Sequence, residues 1–367
     1  MRRTGLVFHE RMLWHDPGSA AAVMPPAAFV EPGAHSESPE RVRRIRSLVE
    51  VSGLGEQLAQ PRPRMAERDE LLRFHTPAYL ERVAELSEAG HGDAGFFSPV
   101  GACSYEIAAL AAGACLTAVD LVLAGELDNA YALVRPPGHH ALADHGMGGC
   151  IFANTALAAL HAQAAHGVER VAIVDWDAHH GNGTQAAFWD DPSVCTISLH
   201  QAGCFPPDSG AVGELGGDAA RGANVNLPLP PGSGVGAFTA AFERVVLPVL
   251  ERFEPGLVLI ACGFDSCAWD SHARLMLHSD AYRHLTAKLL GVADRHAGGR
   301  LVAIHEGGYS PAYAPYCGLA VLEELAGIRT PADDPFLPIF EGYGYQELQP
   351  QQEAVIAEVE RLLEELS

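Results

Sequence analysis

One stretch constrains this chain more than any other: Val171-Ala172-Ile173-Val174-Asp175-Trp176-Asp177-Ala178-His179-His180-Gly181-Asn182-Gly183-Thr184. Val171 to Val174 is short, largely β-branched and wholly apolar, the pattern of a strand buried on both faces of a parallel sheet. The chain then turns polar. If it stays extended, the two-residue period of a strand points Asp175, Asp177 and His179 to one side. Two carboxylates and an imidazole converging at the carboxyl end of a strand could grip a divalent cation. Gly181-Asn182-Gly183 then breaks the strand and lets backbone approach whatever sits there. A polar strand end that merely hydrogen-bonds into its own loop would look the same, so the rest of the chain must decide.

The same design recurs along the sequence. Gly5 to His9 reads as a first strand. Ala130 to Val134 is a core strand ending in Arg135-Pro136-Pro137-Gly138-His139-His140, a rigid turn that presents two adjacent histidines. Val194 to Leu199 is another strand. Leu257 to Cys262 is wholly apolar and ends in Gly263-Phe264-Asp265, and Leu301 to His305 ends in Glu306-Gly307-Gly308-Tyr309. Helical patterns alternate with these strands. Ser38 as N-cap with Pro39 at the first helical position opens one that runs to Val51. Others span Pro77 to Ser87, Tyr105 to Leu123, Phe152 to His166, Phe238 to Arg252, Asp280 to His296 and Gln352 to Leu366. Alternating strands and helices predict an α/β fold, in which ligands bind at the carboxyl ends of parallel strands. His139, His140, Asp175, Asp177, His179, Asp265 and Tyr309 all fall at such ends.

Composition narrows the class. With 367 residues, 48% hydrophobic and 19% charged, the chain is globular, and no linker divides it, so residues 1–367 are expected to form one domain. No long apolar segment follows Met1-Arg2-Arg3-Thr4, so no signal peptide is evident. The least charged run, Ile107 to Val119, falls short of the roughly 20 residues of a membrane helix. A cytoplasmic protein without a membrane partner is expected. Eight cysteines without Cys-x-x-Cys pairs indicate neither a cysteine zinc site nor a disulfide framework. A net charge of −22 argues against nucleic acid as a partner. The long loop from Trp14 to Ser38, with four prolines, is a candidate for subunit contacts and makes a homo-oligomer the expectation.

Asp177, His179 and Asp265 would supply three metal ligands and leave one position open, the arrangement of a catalytic rather than a structural zinc site. Oxygen-rich ligation also admits iron, cobalt or manganese. His139, His140 and Tyr309 remain for proton transfer and oxyanion stabilisation.

Together, Pro137-Gly138-His139-His140, Asp175 to Thr184, Ser198-Leu199-His200, Gly263-Phe264-Asp265 and Glu306-Gly307-Gly308-Tyr309 resemble the zinc-dependent histone deacetylase family, and within it the bacterial class II-type amidohydrolases. The resemblance runs from the first strand to at least Gly327. It implies an arginase/deacetylase-like three-layer fold around a mostly parallel eight-stranded sheet. It also implies that Asp177, His179 and Asp265 hold Zn2+, and that His140 is the general base. His139 would be a second imidazole on the attacking water, supported by Asp175. Asn182 would orient His140, and Tyr309 would donate to the scissile carbonyl. The family's structural K+ would sit on Asp175, Asp177, His179, Ser198 and Leu199, partly through carbonyl oxygens, with a second cation site near Phe188, Asp191 and Val194.

The departures concern the substrate. Phe205 fits one wall of the family's acyl-lysine tunnel, but Gly149 stands where a second phenylalanine is usual. The missing ring implies tolerance of larger acyl groups, unless another side chain fills the space. His272 replaces the Leu or Glu found in lysine- or polyamine-directed relatives and reads as an ordinary rim residue. Asp93 resembles the rim acid that holds the substrate backbone. The resemblance thus implies a deacetylase of ε-acyl-lysine in peptides or proteins. An acetylpolyamine deacetylase is the alternative substrate reading, and a silent acyl-ligand binding module the alternative of another class. An arginase-type di-metal site would need a second ligand set that the sequence does not offer.

Overall fold

The computed structural model describes residues 2–344 and 346–366. At its centre lie the strands β1 (Thr4–Val7), β2 (Asn129–Ala132), β3 (Val171–Asp175), β4 (Val194–Gln201), β5 (Asn224–Leu229), β6 (Leu257–Cys262) and β7 (Leu301–His305). Their spatial order is β1-β2-β7-β6-β3-β4-β5, and every pairing is parallel. The arginase/deacetylase-like α/β class holds, with one correction: among the described residues the central sheet has seven strands, not eight. Beyond β1 the neighbouring segment makes a single bridge, with Leu6 N–H donating to Ala59 O at 2.8 Å and Ala59 N–H to Thr4 O at 3.0 Å. Pro61 and Pro63 follow, and residues without an N–H cannot extend a ladder.

Side-chain alternation builds the layers. Val171, Ile173, Leu257 and Leu259 enter one core, while Ala172, Val174, Val258 and Ile260 enter a larger one on the opposite face. The covering helices include α1 (Glu40–Val51), α2 (Ser104–Leu123), α3 (Asn154–His166), α4 (Asn182–Phe188), α5 (Ser279–His296) and α6 (Ala314–Ala326). α2 and α3 cover the first face; α1, α5 and α6 cover the second. α2 is 20 residues long and, alone among the described helices, is long and apolar enough to cross a membrane. Its apolar residues are instead packed against the sheet and α3, which explains why it is hydrophobic all round.

Several local expectations change. α1 starts at Glu40 with Pro39 in the capping position and no side-chain cap, so the Ser38 cap is not made. The helix expected over Phe238 to Arg252 runs from Val235 to Phe253 with a π turn at Phe242–Val246, next to Pro248, which lacks the N–H to continue a regular ladder. The Trp14–Ser38 loop closes through an antiparallel pair, Ser19–Ala20 with Gly33–Ala34, leaving Met24 and Phe29 exposed at its tip. For function, the arrangement that matters is that β2, β7, β6 and β3 are adjacent at the sheet's centre, so the loops at their carboxyl ends meet.

Candidate active site

β3 ends at Asp175, yet the following turn still brings its alternate side chains to one place. His179 Nδ1 lies 3.0 Å from Asp177 Oδ1 and 3.1 Å from Asp265 Oδ2, the latter delivered by the loop after β6. The three donors lie within 4.8 Å of one another, and all three residues are buried. Backbone holds the remaining carboxylate lone pairs. Asp177 Oδ2 accepts Gly307 N–H at 2.7 Å, and Asp265 Oδ1 accepts Ala178 N–H at 2.7 Å. Gly307 has to be glycine, because a Cβ there would lie 2.1 Å from Asp265 Oδ2 and 2.5 Å from Asp177 Oδ2.

The electrostatics call for a cation. Burial alone would lower the His179 pKa, but Asp265 and Asp177 outweigh it and hold it well above its ordinary value. Among the described residues no Lys or Arg pairs with either carboxylate. Two carboxylate oxygens and one imidazole nitrogen suit zinc or another borderline divalent ion. Two other donor groups fit a metal less well. In Asp120–His161–His166, Arg73 Nη1 sits 2.7 Å from His161 Nδ1 and Arg64 Nη2 sits 3.5 Å from Asp120 Oδ2, so the chain's own cations already balance it. In His139–Cys150–Glu306, burial pushes the Cys150 thiol well above its usual range, against the thiolate a metal needs.

The histidine pair comes from the turn after β2. Glu306 anchors that turn: its Oε2 accepts Gly138 N–H at 2.7 Å and His139 N–H at 3.1 Å, and its Oε1 accepts the Thr155 hydroxyl at 2.9 Å. His139 and His140 lie with ring centroids 3.9 Å apart. His139 Nδ1 meets Asp175 Oδ2 at 3.0 Å, and His140 Nδ1 meets Asn182 Oδ1 at 2.7 Å. A carboxylate and an amide oxygen only accept, so each ring is protonated at Nδ1. His140 therefore keeps Nε2 as a lone pair. Burial opposes charge on both rings, but Asp177 and Asp175 raise the His139 pKa to about 10. Burial, His139 and His179 together hold His140 well below its ordinary value. The two neighbouring imidazoles are thus shifted in opposite directions.

Tyr309 follows β7 and shares a cavity of about 210 Å³ with His140, His179, Phe205 and His272. Burial holds its phenol above the ordinary range, with Arg41 opposing, so the hydroxyl stays a donor. Arg41 lies 4.6 Å over the tyrosine ring and donates to Gly308 O and Glu306 O at 2.9 and 2.5 Å. Its other partner is Glu37 Oε1 at 2.7 Å, and Arg135 meets the same buried carboxylate at 2.8 Å. Glu37, Arg41 and Arg135 were not recognised from sequence. The cues were present: an i,i+4 ion pair leading into α1, and an arginine directly after a core strand.

The substrate-side expectations divide. Phe205 stands over the site, with its centroid 4.9 Å from His140 and 6.2 Å from His179. Gly149 lines the same cavity, but so does Phe97, and Phe96 stacks parallel to Phe205 at 6.1 Å. Phe97 therefore supplies a second ring to the cavity that Gly149 lines. His272 lines the cavity, and its ring stacks on Tyr309 at 4.1 Å. Asp93 does not line the catalytic cavity. It lines an adjoining groove of about 540 Å³ that shares Val23, His35 and Phe97 with it, and its Oδ1 is spent on Gly95 and Ser98 N–H. Ser198 and Leu199 lie buried on β4, with Ser198 in register with Asp175.

A buried carboxylate–histidine triad beside a histidine pair and a tyrosine, at the carboxyl edge of a parallel α/β sheet, is suited to metal-dependent hydrolysis. The histone deacetylase domain matches residues 35–325, and the chain belongs to that family. Its likeness is to the bacterial, zinc-dependent type: it is 53% identical over 343 residues to the histone deacetylase-like amidohydrolase of Pseudomonas aeruginosa, covering 93% of this chain and 90% of the relative. It is also 38% identical over 328 residues to human polyamine deacetylase HDAC10, covering 83% of this chain but 45% of that protein. The crystal structure of the HDA15 HD domain superposes with a TM-score of 0.86 at 32% identity, over 100% of this chain and 96% of that one. The chain is a deacetylase.

Proposed function

We propose that this deacetylase removes acetyl groups from the ε-amino group of lysine in peptides or proteins, with Asp177, His179 and Asp265 holding zinc. The observation that carries the reading is that His179, which Asp177 and Asp265 adjoin, lines one cavity together with His140 and Tyr309. Zinc bound there would lower the pKa of its water and polarise the scissile carbonyl. His140, its Nδ1–H fixed by Asn182, takes a proton from the attacking water at Nε2 and delivers it to the leaving ε-amine. His139, tied to Asp175, adds a second donor beside that water. The Tyr309 hydroxyl donates to the developing oxyanion, a contact worth about 2.7–4 kcal/mol in comparable sites. Phe205 and Phe97 flank the acyl-lysine stem. We also place K+ behind this centre, on Asp175, Asp177, His179, Ser198 and Leu199. A small void of about 10 Å³ lined by Asp175, Ser198 and Thr184, and the buried Thr184 hydroxyl without a protein partner, support that site.

The name of HDAC10 supports a second substrate reading, an acetylpolyamine. Comparing kcat/KM of the zinc-loaded enzyme on an acetyl-lysine peptide and an acetylpolyamine separates the two. We expect the peptide to be preferred. A preference for the polyamine by orders of magnitude keeps the chemistry and overturns the substrate.

A further inference from the structure

We propose that Asp270 is a positioning residue that places the Tyr309 hydroxyl by clasping the backbone on which the Tyr309–His272 ring stack is built. The inference rests on the reading of Tyr309 as the oxyanion donor. Tyr309 is poorly restrained by its own sequence. It follows Gly307-Gly308, with Gly308 at φ +121°, and among the described residues its hydroxyl has no hydrogen-bond partner. Its position must come from backbone and ring contacts. Arg41 lies over the ring and donates to Gly308 O, while the fully enclosed Asp270 side chain holds the backbone of both stacked residues. Oδ2 accepts Tyr309 N–H at 2.5 Å, and Oδ1 accepts His272 N–H at 2.8 Å. These are the two residues whose rings stack at 4.1 Å and 29°. One carboxylate therefore joins the loop after β6 to the loop after β7 at the wall of the catalytic cavity.

The clasp is itself anchored. The neighbouring Trp269 packs on Phe336 and Phe340, each at 5.0 Å, and its indole N–H points to the Tyr343 hydroxyl at 3.3 Å. A buried carboxylate with no Lys or Arg partner is costly for the fold, and burial, with Asp265 nearby, raises its pKa to about 7. An apolar residue would be cheaper unless the two N–H groups needed to be held together.

The test is a double-mutant cycle on the zinc-loaded enzyme: wild type, Asp270→Asn, Tyr309→Phe and the double variant, each with kcat, KM and zinc content. The asparagine amide can accept from one N–H but presents its NH₂ to the other, so the clasp opens without a large change in shape. Contacting residues couple measurably, so Asp270→Asn is expected to lower kcat about tenfold with KM nearly unchanged, and to have little effect once Tyr309 is phenylalanine. Equal losses in both backgrounds, or no loss in either, overturn the clasp. A Tyr309→Phe variant as active as wild type overturns the oxyanion-donor reading itself. Should Asp270→Asn fail to fold, Trp269→Leu, which frees the anchor from the surface, is read in the same cycle. It must show the same dependence on the Tyr309 hydroxyl, and an equal loss without that hydroxyl refutes the inference.

Discussion

Gly148 and Gly149 sit at φ +55° and +83°, and Met147 and Cys150 exchange backbone hydrogen bonds across them at 3.1 and 2.8 Å. A two-residue turn with both central residues left-handed is the tight reversal that favours glycine at each position. Gly149 is therefore required by the backbone, whatever it does to the width of the tunnel. An added Cβ would meet only Glu37 Cγ at 3.5 Å, so the cost of Gly149→Ala is conformational rather than steric. We predict a loss of about 1–2 kcal/mol in denaturant unfolding, with little change in turnover of acetyl-lysine. A variant of unchanged stability and altered acyl preference would favour the tunnel explanation instead. At this scale the convergence of Asp177, His179, Asp265, His139, His140 and Tyr309 was legible because each follows a strand end, whereas the pairing of Asn182 with His140 was expected from the family resemblance alone. The roles of Asp270 and His272 were not legible, because they depend on contacts between loops nearly 40 residues apart.

The element that was hardest to foresee joins α1 to the site. Glu37 is buried between Arg41 and Arg135, and Arg41 continues to the carbonyls of the loop carrying Tyr309. Removing the carboxylate leaves two buried guanidinium groups short of a partner, so Glu37→Gln should destabilise by about 3–5 kcal/mol in chemical denaturation at neutral pH. A variant as stable as wild type would show that the cluster is not energetically coupled. Burial alone would raise the Glu37 pKa, but Arg135 and Arg41 outweigh it and lower it from 4.5 to about 2. Its contribution is thus complete above the unfolded value and lost as pH falls through that window, and the gap between wild type and variant should close there. Secondary structure was legible where one pattern ruled. β6 and β7 occupy the expected residues, because strands buried on both faces are continuous apolar runs. β5 escaped because Asn224, Asn226 and Pro228 break that pattern. They are tolerated at the sheet's edge, where Pro228 has a ladder neighbour on one side alone.

In the whole molecule, His140, His179 and Tyr309 reach one cavity because β2, β7, β6 and β3 are neighbours. Local pattern identified the strands and their polar ends. The spatial order was not legible, since parallel crossovers leave no mark on neighbouring residues, and the resemblance implied only a mostly parallel sheet. The same resemblance overstated the sheet by one strand, where prolines stop the Ala59 segment from pairing further. The claim on which all else depends is that the triad holds a metal the reaction needs. Its most direct test is turnover of an acetyl-lysine peptide after chelator dialysis, followed by titration with zinc while bound metal is counted. The account predicts loss of activity on chelation and full recovery at one zinc per chain, with neither binding at this site nor recovery in Asp265→Asn. Activity that survives in protein free of metal would contradict it.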